Sequence, residues 1–109
     1  MPKAVGDEWP YAVLVANHTA DADVYMSVYT SAGKEEDCLS PGRSKRQLFE
    51  KAIHSVYVDV TAKGQDCKGP VLEKFGTSIP DEKGVMMTYK VTGKDGHYDI
   101  MESKGPFHP

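Results

Sequence analysis

Apolar and polar residues alternate along most of this chain in short runs, and Gly, Pro, Asn and Asp separate the runs. A period of two places successive side chains on opposite faces, so the pattern predicts half-buried β-strands. The clearest run has Val56, Val58 and Val60 alternating with Tyr57, Asp59 and Thr61. Val24, Met26 and Val28 alternate in the same way with Tyr25, Ser27 and Tyr29. Val85, Met87, Tyr89 and Val91 alternate with Met86, Thr88, Lys90 and Thr92. Tyr11 to Asn17 is apolar almost throughout, as expected of a central strand. Weaker strands are expected at Ser44 to Phe49, with Leu48 on the face opposite Gln47 and Phe49, at Leu72 to Ile79, and around Tyr98 and Ile100. Arg43 to Ala52 also fits one short helix, since Leu48 and Ala52 are four positions apart.

These runs recur about every 8–12 residues, the spacing of sandwiches. The expected architecture is therefore all-β: a small antiparallel β-sandwich of about seven strands, immunoglobulin-like or related, with at most one short helix. The domain is expected over residues 11–102, with an N-terminal extension over 1–10 and a C-terminal tail over 103–109. Its core should contain Val13, Val15, Val56, Val58, Val60, Met87, Tyr89 and Val91. Thr92-Gly93-Lys94-Asp95-Gly96 is the strongest hairpin signal, because Asp-Gly suits a two-residue turn.

The chain has 109 residues, enough for one core. Its net charge of −3 argues against a nucleic-acid partner, which demands a basic face. No apolar run approaches the roughly 20 residues of a transmembrane helix, and residues 1–8 show no signal-peptide pattern. A cytoplasmic location and an extracellular one both stay open.

If seven strands alternate in direction, their loops alternate between the two ends of the sandwich. Cys38 then falls in the second loop and Cys67 in the fourth, at the same end, so a disulfide is expected. It would favour an extracellular setting, whereas two free thiols would suit the cytoplasm. The same parity puts Asp21, Asp23, Asp81 and Glu82 at one end, a candidate calcium site; otherwise no cofactor is expected. Asn17-His18-Thr19 fits a glycosylation acceptor, relevant only to a secreted chain. Arg43-Ser44-Lys45-Arg46 reads as a charged strand edge that discourages aggregation. The four histidines are scattered and make no zinc pattern. Ser31-Ala32-Gly33-Lys34 lacks the first glycine of a phosphate loop.

Tyr25 and Tyr29 share the face opposite Val24, Met26 and Val28, and Tyr57 faces away from its own valines. If the two strands share a sheet, three tyrosines line its outer face and make a candidate binding surface.

The succession Val15-Ala16-Asn17-His18-Thr19, Val24 to Tyr29, Leu39-Ser40-Pro41-Gly42 and Val56-Tyr57-Val58 resembles the strand-and-turn layout of many immunoglobulin-like modules. The resemblance implies a sandwich fold alone. Trp9 precedes the strands and the cysteines fall in expected loops, so the tryptophan-and-cysteine core of antibody domains is missing.

The expected function is a non-enzymatic binding module for a protein or carbohydrate, self-associating through the tyrosine face or a strand edge as a homodimer. Two alternatives are a small thiol-dependent enzyme or redox protein using Cys38 or Cys67, and a calcium-dependent binding module using the acidic loops.

Overall fold

The computed structural model describes residues 10–106. They form eight strands and no helix: β1 (Tyr11–Thr19), β2 (Ala22–Thr30), β3 (Gly33–Leu39), β4 (Ser44–Phe49), β5 (Ile53–Ala62), β6 (Val71–Ser78), β7 (Val85–Lys94) and β8 (His97–Pro106). The strands build two four-stranded sheets, ordered β4-β1-β7-β8 and β3-β2-β5-β6. The inward residues of both sheets share one apolar core, so the fold is a β-sandwich. β1 lies over β2 and β8 over β6, which leaves β4 over β3 on the opposite side. All eight residues expected in the core are buried.

Each short run of β-branched or aromatic residues became a strand because one face meets this core. Ser44 to Phe49 is a strand and not a helix. Pairing with β1 seats Phe49 in the core, while Leu48 packs on Ala12 at the other face. Asp95 and Gly96 both adopt positive φ, as a two-residue hairpin turn of this kind requires. Gly93 cannot be replaced without movement, since a Cβ there would come within 2.0 Å of the His97 carbonyl oxygen.

Three expectations are corrected. An eighth strand, β3, lies where a loop was expected. Its sequence, Gly33-Lys34-Glu35-Glu36-Asp37-Cys38-Leu39, carries no apolar alternation because it is a sheet edge on which only Leu39 is buried. β8 continues to Pro106 opposite Val85, so residues 103–106 belong to the sheet and not to a tail. Residues 1–9 and 107–109, which include most of the expected N-terminal extension, lie outside the described residues.

The third correction concerns strand direction. Direction alternates strictly along the chain, but neighbours in a sheet are not always consecutive. β1 and β7 are therefore parallel, while every other pair is antiparallel. The extra strand also moves every later loop to the end opposite the one expected.

Candidate functional site

β2 and β5 are antiparallel neighbours, with Ser27 opposite Tyr57 and Tyr25 opposite Asp59. The valines and Met26 point inward, so Tyr25, Tyr29 and Tyr57 all lie on the outer face of the β3-β2-β5-β6 sheet. The rings of Tyr29 and Tyr57 meet edge to face, with centroids 5.6 Å apart and planes at 87°. This arrangement suits the quadrupoles of two aromatic rings. Tyr29 is 39% and Tyr57 46% exposed, large values for side chains held in fixed contacts.

Two residues that sequence reasoning missed hold these rings. Gly76 on β6 lies opposite Tyr57, and a Cβ there would stand 2.7 Å from ring atoms Cδ1 and Cε1. Tyr57 therefore lies across a gap that only glycine leaves open. Gly76, within β6, is thus the seat of a ring. Glu36 on β3 accepts a hydrogen bond from the Tyr25 hydroxyl and also pairs with Lys34 at 3.2 Å. The Tyr25 hydroxyl and then Lys34 hold the Glu36 carboxyl below its usual range. Ser27, on the same outer face as the tyrosines, is buried.

The face continues past the rings. Asp59 is opposite Lys74 on β6, and burial pushes its carboxyl above the ordinary value while Lys74 pulls it down. Val71 and Leu72 are exposed beside them and border a shallow depression of about 450 Å³. The surface thus combines fixed aromatic rings, exposed aliphatic groups and charges of both signs.

The cysteines are bridged, with Cα atoms 5.9 Å apart. Cys38 lies on β3 opposite Tyr25, and Cys67 in the β5–β6 loop, which folds back past the start of β2 to reach it. Both sit at the end of the sandwich where β1 finishes. The expected juxtaposition holds, although Cys38 belongs to a strand. Both cysteines of the chain are consumed, so a thiol-dependent reaction has no free sulfur in this form.

The acidic residues do not converge. Asp21 stands at the end of β1, where it accepts hydrogen bonds from the Tyr98 hydroxyl and the Asp95 amide. Tyr98 and then Asp95 hold its carboxyl below the ordinary value. Asp23 accepts from the Gly64 amide at the same end. Asp81 accepts from the Tyr11 hydroxyl at the start of β1, and Glu82 pairs with Lys104. Nine residues of β1 at about 3.3 Å each separate the two ends. β3 puts the β6–β7 loop at the end opposite the β1–β2 loop, so the candidate calcium set is split, and no group of three metal-ligating side chains occurs among the described residues.

Asn17 is also reassigned. It is 1% exposed, and its side-chain nitrogen donates to the carbonyls of Ala22 and Leu39. Its oxygen accepts from the amide and hydroxyl of Thr19. The nitrogen that would carry a glycan is buried and committed, which is incompatible with glycosylation of this fold. Asn17 and Thr19 pin the β1–β2 loop to β3. No family model matches the chain, and no curated protein matches it in sequence.

No helix among the described residues is long and apolar enough to cross a membrane.

Proposed function

We propose that this chain is a non-enzymatic recognition module that binds a protein partner through the outer face of the β3-β2-β5-β6 sheet. The observation that carries the reading is the Tyr29–Tyr57 pair, exposed by 39% and 46% yet fixed edge to face. Aromatic anchors bind tightly when little conformational freedom is lost on association, and these rings are already ordered. Tyr57 is further constrained by its seat on Gly76, and Tyr25 by Glu36. Exposed Leu72 and Val71 extend the apolar centre, while Lys34, Glu36, Asp59 and Lys74 supply a charged surround. An apolar centre within a polar rim suits a protein surface.

The test is partner capture by the intact chain, followed by titration of each captured protein against wild type, Tyr29→Ala and Tyr57→Ala. A partner using this face should lose about 2 kcal/mol or more with each replacement, as anchors do. Because both rings lie outside the core, the melting temperature should stay near wild type for Tyr29→Ala and fall modestly for Tyr57→Ala, which loses its packing on Gly76. Unchanged affinity for every captured protein would remove this face as the site. Binding to immobilised glycans with the same tyrosine dependence would reassign the partner class.

A further inference from the structure

We infer that two copies of this chain associate about a two-fold axis parallel to the strands, with β3 of each copy pairing along β4 of the other. As sheet partners, β3 pairs only with β2 and β4 only with β1, so each has an open edge among the described residues. These edges lie one above the other on the same side of the sandwich. β4 is antiparallel to β1. β2 returns from β1 in the opposite direction, and β3 is antiparallel to β2, so β3 runs with β1. The two stacked edges therefore run in opposite directions.

A two-fold rotation about an axis parallel to the strands keeps each strand's direction and height but exchanges the layers. It sets β4 of one copy beside β3 of the other in antiparallel orientation. Inward faces stay inward, so both sheets become continuous across the junction. The other side of the sandwich lacks this property. β6 and β8 run in the same direction, and the same operation would give only a parallel pair.

The register follows from heights within one copy. Asn17 donates its backbone amide to the Arg43 carbonyl and its side-chain amide to the Leu39 carbonyl, so Leu39 and Arg43 are level. Farther along, Lys45 and Asp37 are level, with Nζ and Oδ2 3.8 Å apart. Because rotation preserves height, Lys45 of one copy falls opposite Asp37 of the other, and Arg46 opposite Glu36. The operation repeats both pairings across the axis. Opposite charges directly across an antiparallel pair favour it, and like charges oppose it. β3 carries Glu35, Glu36 and Asp37, whereas β4 carries Lys45 and Arg46. Pairing β3 with β3, or β4 with β4, would therefore set like charges together. The charges that guard each edge against its own kind select the other edge, which is how specificity against wrong partners is built. The cleft of about 390 Å³ between Glu35, Gln47 and Phe49 then faces its copy across the axis.

This inference does not depend on the tyrosine face. Its test is sedimentation equilibrium of the intact, oxidised chain. Wild type should show a monomer–dimer equilibrium. Lys45→Glu and Asp37→Lys should each weaken self-association by about tenfold or more, the scale of opposed charges at an interface. An equimolar mixture of the two variants should recover the dimer, since each acidic edge then meets a basic one. The double variant K45E/D37K should self-associate like wild type, and it also preserves the pair within each copy should a single variant fold poorly. Tyr57→Ala should leave the dimer intact. A wild-type chain that stays monomeric to millimolar concentration overturns the inference, with the charges acting only as edge guards. Self-association that ignores both reversals, or that is lost with Tyr57→Ala, overturns it in favour of another interface.

Discussion

The ring of Tyr57 occupies the space that a side chain at Gly76 would fill, 2.7 Å from where a Cβ would stand. The two residues are directly paired across β5 and β6. A glycine in a strand is costly, and an aromatic ring lying across it restores some of the lost packing. The pair also settles where the exposed ring sits, and so how Tyr57 meets Tyr29.

Gly76→Ala should therefore displace the Tyr57 ring. The expected cost is about 1–3 kcal/mol of overpacking, less whatever the alanine recovers by restricting the unfolded chain. The near-ultraviolet circular dichroism of the tyrosines should change, and affinity for any partner bound at this face should fall. An unchanged near-ultraviolet spectrum would mean that the ring does not rest on Gly76.

The Cys38–Cys67 bridge closes a separation of 29 residues. In the chain-entropy model, closing a loop of about 30 residues is worth roughly 3–4 kcal/mol. Asp66 and Cys67 both hold positive φ, an uncommon backbone for residues other than glycine, so the bridge also restrains a strained loop. The double variant Cys38→Ser/Cys67→Ser should lose stability on that scale in urea unfolding. Hydrogen exchange should rise first in residues 63–70. Thiol titration of unreduced protein should find no reactive sulfur; two fast-reacting thiols would contradict the bridge.

Asn17→Ala should cost about 2–3 kcal/mol, because the Leu39 carbonyl loses the side-chain donor it has in the wild-type protein. Asn17→Asp should not rescue it, since a carboxylate cannot donate to the Ala22 and Leu39 carbonyls. Urea titrations of both variants would show this. A neutral Asn17→Ala would mean that water replaces the amide.

Two carboxylates should respond oppositely to acid. Asp21 is held below its ordinary value of 3.8 by Tyr98 and the Asp95 amide. It contributes stability above 3.8 that is lost as pH falls through its lower folded value. Asp21→Asn should therefore lower the melting temperature near neutrality, and the difference should shrink in strong acid. Asp59 is raised above 3.8 by burial. Its contribution is present below 3.8 and lost as pH rises through the raised value. Asp59→Asn should raise the melting temperature at neutral pH and give no gain in acid. Melting curves across the acid range would check both signs.

The alternation of Val56, Val58 and Val60 with Tyr57, Asp59 and Thr61 was enough to assign β5 and both its faces, since a strand with one buried face cannot hide its period. The same holds for β2, which is why the outward tyrosines were legible. Asp95-Gly96 announced its turn because positive φ at both positions restricts the choice of residue. β3 was invisible for the converse reason. Its side chains meet little core, so no burial selected apolar residues at alternate positions, and only hydrogen bonding to β2 makes it a strand. That one omission reversed the assignment of later loops to ends and joined Asp21 and Asp23 to Asp81 and Glu82 in error. The Asn17 network, the seat of Tyr57 on Gly76 and the opposed charges of β3 and β4 were likewise out of reach. Sequence periodicity reports which face of a segment is buried; it carries no information about which segments become neighbours, and these features exist only between neighbours.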